Sequence, residues 1–93
     1  MHEIILDKRV IKFIKTLPEK HKRQLKKYIL SFVEEPIPHD SKILKDYEPY
    51  RRGDCGEYRI VYRLAQSEKK IYVILVGKRN GGEVYQQLKM LLA

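Results

Sequence analysis

The sequence predicts an α+β domain in the order βααβββ with a short C-terminal helix: a small antiparallel-rich sheet packed against an N-terminal helical hairpin. Three observations point there. Two apolar stripes at helical spacing fill the N-terminal third and meet at Pro18. Tyr58 to Leu64 then alternates with the period of a strand, and Ile71 to Val76 forms an apolar strand after the polar Gln66-Ser67-Glu68-Lys69. Last, Val84, Leu88 and Leu91 return to helical spacing at the C-terminus.

Taken in order, Ile4-Ile5-Leu6 is a short apolar run, and Asp7 after it offers a carboxylate that can cap a helix. Val10, Phe13, Ile14 and Leu17 fall at i, i+3, i+4 and i+7 among Lys8, Arg9, Lys12 and Lys15, which predicts an amphipathic helix over 8–17. Pro18 ends it, because proline cannot continue a helix interior but can open the next one. The second helix is expected from Pro18 to Glu34, with Leu25, Tyr28, Ile29 and Phe32 inward and Lys20, Lys22, Arg23, Lys26 and Lys27 on a solvated face. Pro36 and Pro38 close it. His39 to Asp46 reads as a polar connection with Ile43 and Leu44 tucked against the core, and a strand is expected to begin at Tyr47 or Tyr50.

In the next strand Tyr58, Ile60, Tyr62 and Leu64 share one face, and Arg59, Val61 and Arg63 the other. Ile71 to Val76, apolar on both faces, is expected to be a central strand rather than an edge. The helices are expected on one face of the sheet, with the second face open.

At 93 residues the chain is read as one domain, 1–93, too short for two cores. Twenty Lys and Arg against twelve Asp and Glu leave a net charge of +8, which favours an anionic partner such as nucleic acid. A single cysteine, Cys55, excludes an intramolecular disulfide and reads as a bystander in a turn. No run approaches the ~18 apolar residues of a membrane span. Met1-His2-Glu3-Ile4 lacks the basic and apolar regions of a signal peptide, so a cytoplasmic protein with no membrane partner is expected.

Val76-Gly77-Lys78-Arg79-Asn80-Gly81-Gly82-Glu83-Val84-Tyr85 is the stretch that points to chemistry. A strand that exits in a basic pair, followed by two glycines and a phenol, can bring arginine and tyrosine to one mouth. The three histidines, His2, His21 and His39, lie far in sequence from that stretch. No His, Cys, Asp or Glu cluster has metal-ligand spacing, and no cofactor-binding phosphate loop is present, so no metal and no cofactor are expected.

Gly56-Glu57-Tyr58-Arg59-Ile60-Val61-Tyr62-Arg63, with the apolar strand and the Val-Gly-Lys-Arg and Glu-Val-Tyr motifs after it, resembles the RelE family of type II toxin–antitoxin toxins, in the RelE/ParE superfamily. The resemblance covers most of the chain. It implies a RelE-like fold and a ribosome-dependent endoribonuclease, an mRNA interferase, that cuts messenger RNA in the decoding site and is held inactive by a cognate antitoxin. It also implies roles: Arg59 at the transition-state arginine position, Arg79 at the general-acid position and Tyr85 at the general-base position. Lys78, with Arg51 or Arg52, would bind RNA phosphate. Adjacent residues cannot both face one side of a regular strand, so either Arg51 or Arg52 faces the site, and a bulge around Gly53-Asp54 is expected to decide which.

Chemically, Tyr85 has an ordinary pKa of about 10 and serves as a base only where cations favour its phenolate. Arg79 suits an electrostatic clamp on phosphate better than a literal acid. Each residue also has a purely structural reading: Tyr85 as a core tyrosine, Arg59 and Arg63 paired with Glu57 or Glu68, Arg79 as a strand end. Tyr58, Tyr62 and Tyr72 read as packing before base stacking. Two further functions stay open: a ParE-like inhibitor of DNA gyrase without nuclease activity, and a non-catalytic RNA- or ribosome-binding module.

Overall fold

The computed structural model describes residues 1–92. Strand β1 (Glu3–Leu6) runs into helix α1 (Lys8–Lys15), whose N-terminus is capped as expected: Asp7 accepts a hydrogen bond from the Arg9 backbone N–H at 2.9 Å. Helix α2 (Glu19–Ser31) starts directly after Pro18 and ends earlier than expected, dissolving into turns before Glu34. Strands β2 (Lys42–Ile43), β3 (Arg51–Cys55), β4 (Tyr58–Ala65) and β5 (Lys70–Lys78) and helix α3 (Glu83–Leu91) follow. The sheet order is β1-β5-β4-β3-β2, with β1 parallel to β5 and every other pair antiparallel. The apolar β5 is therefore an inner strand, flanked by β1 and β4, as its composition requires.

The helical hairpin covers one face of the sheet. Val10, Ile14, Leu25, Ile29 and Phe32 pack there on Tyr58, Ile60, Tyr62, Ile71, Val73 and Val76. Phe32 stacks on Tyr62 with ring centroids 4.3 Å apart. The second face differs from the expectation of an open surface. Val84 and Leu88 of α3, with Leu44, pack on Val61 and Leu75 in a second, smaller core.

A bulge lets β5 feed both cores. Val61 pairs with Leu75 and Tyr62 with Val73, so Ile74 has no partner across the strand. That extra residue shifts the alternation by one: Ile71, Val73 and Val76 face the hairpin, while Ile74 and Leu75 face α3. The register of β3 on β4 is continuous, so the bulge lies here rather than near Gly53-Asp54.

The link between α2 and β3 departs from the sequence reading in two places. Leu44 is buried at 5% exposure, but Ile43, expected beside it in the core, is 52% exposed on the outer strand β2. Adjacent side chains of extended backbone point to opposite faces, so with Leu44, just past β2, packed inward, Ile43 faces out. The strand expected from Tyr47 or Tyr50 begins at Arg51, with Tyr47 and Tyr50 partly buried against the smaller core instead. A polar chain pins this segment: Arg51 Nε donates to Ser41 Oγ at 3.0 Å, Ser41 lies 2.7 Å from the Tyr62 hydroxyl, and Tyr62 donates to the Pro36 carbonyl at 3.0 Å. With the Tyr62 proton committed to Pro36, the Ser41 hydroxyl is the donor to Tyr62.

Candidate active site

The β3–β4 hairpin builds the site. Cys55 pairs with Tyr58 across Gly56-Glu57, and Gly56 takes φ +60°, a conformation that suits glycine at a tight turn. This register sets Asp54 opposite Arg59 and Arg52 opposite Val61. Directly opposed residues in an antiparallel pair share a face. Arg52, Asp54 and Arg59 therefore stand on the side of the sheet that carries α3.

Their side chains form one network. Arg59 Nε donates to Asp54 Oδ1 at 2.8 Å and Nη2 to Asp54 Oδ2 at 3.2 Å. Arg52 Nη1 donates to the same Oδ2 at 3.3 Å. The remaining arm of Arg59 turns to α3, where Nη1 donates to the phenolic oxygen of Tyr85 at 2.8 Å. Three of the five guanidinium N–H groups are thus engaged, and two are left for a ligand. The hydrogen bond from Arg59 holds the Asp54 carboxyl below the usual carboxylate range against the opposing effect of burial, helped by the charges of Arg59, Arg52 and Arg79. Reciprocally, the Asp54 hydrogen bond pushes the Arg59 guanidinium further up. It is a fixed cation.

Tyr85 reaches Arg59 because α3 lies very close to β5. A Cβ on Gly77 would sit 2.6 Å from Val84 Cγ2, so glycine at Gly77 permits that approach. Gly82, with φ +73°, turns the chain into the helix. Tyr85 is half-buried beside Val84 and Leu88, so it packs and presents its hydroxyl at once.

Arg79 lies just past β5, its backbone N–H donating to the Glu57 carbonyl at 2.9 Å. Its side chain is exposed and, among the described residues, makes no hydrogen bond, yet its charge acts on Asp54. Of the residues expected to meet, Arg59 and Tyr85 are joined directly, Arg52 joins Arg59 through Asp54, and Arg79 is an exposed cation whose charge reaches Asp54.

Two expected contributors lie elsewhere. Arg51 pairs with Tyr62 and turns to the hairpin side, where Ser41 holds it. Lys78 pairs with Tyr58 and also projects to the hairpin side. Arg59 pairs with Asp54 rather than Glu57 or Glu68, and Arg63 stacks on Tyr72 with Cζ 4.6 Å from the ring centroid. Tyr58 and Tyr62 are core residues, as their packing role requires.

Asp54 was missed from sequence, though Gly56 at a two-residue turn would have placed it opposite Arg59. The proximity of His21 to the motif was also not visible: Nδ1 of His21 lies 2.7 Å from the Tyr58 hydroxyl. Among the described residues no three of His, Cys, Asp and Glu stand close enough to hold a metal ion.

Known proteins resemble the chain in sequence and in shape. Residues 4–81 match the profile of the family described as the ParE toxin of the type II toxin–antitoxin system, parDE. The chain is 31% identical over 83 residues to the mRNA interferase toxin RelE of Escherichia coli K12, covering 87% of this chain and 86% of that protein. An mRNA interferase RelE of Shigella flexneri matches at the same identity and coverage. The crystal structure of the isolated E. coli RelE toxin superposes with a TM-score of 0.74 at 25% identity over all of both chains. The archaeal RelE–RelB complex from Pyrococcus horikoshii OT3 shares the fold, with a TM-score of 0.76 and 24% identity over 85% of this chain and 96% of that one. With the Arg59–Tyr85 pairing and the Val76-Gly77-Lys78-Arg79 exit in place, this chain belongs to the RelE family, within the RelE/ParE superfamily of toxins from type II toxin–antitoxin systems.

Proposed function

We propose that this protein is a metal-independent mRNA endonuclease that works on the ribosome, cutting translated mRNA in the decoding site by attack of a 2′-hydroxyl on the adjacent phosphate. The observation that carries this reading is the hydrogen bond from Arg59 to the Tyr85 oxygen beside the Asp54 fork and the exposed Arg79. A guanidinium that donates into the phenolic oxygen fixes where that oxygen points and leaves it a second lone pair for the 2′-hydroxyl proton. Tyr85 is then the base for the 2′-hydroxyl. The two unengaged N–H groups of Arg59 and the fork of Arg79 meet the charge that builds on the phosphorane. Arg52 adds a third cation on the same face. Lys78, on the opposite side of the strand exit, meets the RNA strand away from the reacting phosphate, and Arg51 is not part of the site.

Positioning by the ribosome completes the scheme. A site without a histidine pair gives slow chemistry on free RNA, and an ordered substrate supplies several kcal/mol of the barrier. The relatives named mRNA interferase favour this reading over gyrase inhibition, as does the hydrogen-bonded Tyr85, for which a gyrase inhibitor or a passive ribosome-binding module has no use. The structures of RelB bound to RelE support a cognate antitoxin as the resting partner of this chain. A charged antitoxin segment that folds on binding suits a surface of net charge +8. Among the described residues no helix is long and apolar enough to cross a membrane, and a ribosome-directed toxin works in the cytoplasm.

The test is to induce the protein and map 5′ ends of cellular mRNA with translation on and off. Cuts confined to translated regions that vanish with a translation block and with Arg79→Ala support the reading. Growth arrest with intact mRNA and inhibited supercoiling would replace it with gyrase inhibition.

A further inference from the structure

On the opposite side of the same strand ends lies an open cleft of about 290 Å³, lined by Leu17, Pro18, His21, Glu57, Tyr58 and Lys78. It is back to back with the Arg59–Tyr85 cluster. Tyr58 precedes Arg59, Lys78 precedes Arg79, and the carbonyl of Glu57 holds the Arg79 N–H at 2.9 Å. Two residues of the reacting cluster, Arg59 and Arg79, thus have a preceding chain neighbour that lines the cleft.

The groups in the cleft are held ready and unused. Nδ1 of His21 is engaged by the Tyr58 hydroxyl at 2.7 Å, and the two rings meet edge to face at 5.4 Å, which fixes the imidazole. Its Nε2 lies 3.8 Å from the Glu57 carboxylate, beyond hydrogen-bond range, and has no other polar partner among the described residues. The Glu57 side chain is 79% exposed, and Lys78 makes no ion pair among the described residues. Leu17 and Pro18 add an apolar wall.

A carboxylate in the cleft argues against phosphate as the occupant. A flat group with an apolar face and an edge of mixed donors and acceptors fits instead, and an unstacked nucleobase is such a group. We infer that the cleft is a nucleobase subsite for a nucleotide flanking the cleaved phosphate, and that it favours bases with an exocyclic amino group over uracil. The amino group donates to Glu57, and the ring or carbonyl acceptor beside it accepts a hydrogen bond from Lys78 or from His21 Nε2. Uracil has no amino group and presents a carbonyl oxygen to the carboxylate. Phosphate contacts on the Arg59 face hold the strand, and the base on the other face selects it.

This inference rests on the nuclease reading, and the test separates the two. Cut sites are mapped in translated mRNA for the wild type, Glu57→Ala, Glu57→Gln and His21→Ala, and base composition is read among the cuts each protein makes. The wild type is expected to show adenine, guanine and cytosine enriched over uracil at one fixed position beside the cut. Glu57→Ala should bring that position to the composition of the transcripts, His21→Ala should weaken the enrichment, and Glu57→Gln, whose amide oxygen still accepts, should keep part of it. Glu57 is a surface side chain, so melting of Glu57→Ala should match the wild type. Unchanged composition in both alanine variants overturns the subsite while leaving the nuclease in place. A Glu57→Ala protein that is folded but does not cut also overturns it, because the group then belongs to the chemistry. A wild type that makes no translation-dependent cuts removes both readings together.

Discussion

Arg59 donates one arm of its guanidinium to the Tyr85 oxygen at 2.8 Å while its other two nitrogens grip Asp54. The phenol is thereby aimed and polarised by a cation that is itself held in place by a carboxylate. Tyr85→Phe keeps the ring and its contacts with Val84 and Leu88 and removes only the hydroxyl. The expected cost in stability is about 1 kcal/mol for the lost hydrogen bond. Single-turnover cleavage of ribosome-bound mRNA should fall by roughly 10²-fold or more, with ribosome affinity retained. A folded variant that cuts at the wild-type rate would show that Tyr85 only packs.

Asp54 links stability, pH and chemistry. Its carboxyl titrates below the usual range in the folded protein, chiefly through the Arg59 hydrogen bond. A depressed carboxylate stabilises the fold above its unfolded pKa, about 3.9, and that contribution is lost as pH falls through the lower folded value. Stability should therefore drop below about pH 4, and Asp54→Asn should flatten that part of the curve. At neutral pH the same variant removes a negative charge beside three arginines. Ribosome binding should hold or tighten while cleavage slows, because Arg59 is no longer steered toward Tyr85. Parallel losses in binding and cleavage would count against this arrangement.

Gly77 sets the distance between α3 and β5. Gly77→Ala would place a methyl 2.6 Å from Val84 Cγ2, a contact relieved only by a shift of the Val84 side chain or of the helix that carries it. Overpacking of this kind costs about 1–3 kcal/mol. For a domain of this size that lowers Tm by roughly 4–8 °C per kcal/mol. The effect on cleavage should exceed the effect on folding, since Val84 is the chain neighbour of Tyr85 and any shift of the helix moves the phenol. Val84→Ala combined with Gly77→Ala should restore part of the activity by reopening the space.

The elements that the sequence made legible are those with strong apolar periods. Val10, Phe13, Ile14 and Leu17 identified α1, and the unbroken Ile71 to Val76 run identified a central strand. Arg59, Arg79 and Tyr85 stood out as candidates through the resemblance of their motifs to those of the RelE family. What escaped depends on pairing across space. Asp54 matters only because the Gly56-Glu57 turn sets it opposite Arg59. Strand β2 is two residues long and has no period of its own. The second face closes because a bulge at Ile74 turns Leu75 toward α3, a shift that no alternation count anticipates. His21 stands beside the motif because the start of α2 meets Tyr58, the first residue of β4.

Arg51 and Arg52 are adjacent in sequence and opposite in consequence. Arg52 faces the reacting cluster and contacts Asp54, whereas Arg51 supports the chain from Ser41 through Tyr62 to Pro36. Arg51→Ala should cost stability, about 1–3 kcal/mol for a charged hydrogen bond to a buried hydroxyl, and leave the salt dependence of ribosome binding alone. Arg52→Ala should leave the melting temperature nearly unchanged. It should instead lower the slope of log affinity against log salt by about 0.7–0.9, the effect of one phosphate contact. The two measurements, thermal unfolding and a salt titration against isolated ribosomes, thus divide the pair. If Arg51→Ala changes the salt slope and Arg52→Ala does not, the face that meets RNA is the hairpin side, and the arginine cluster around Asp54 is structural.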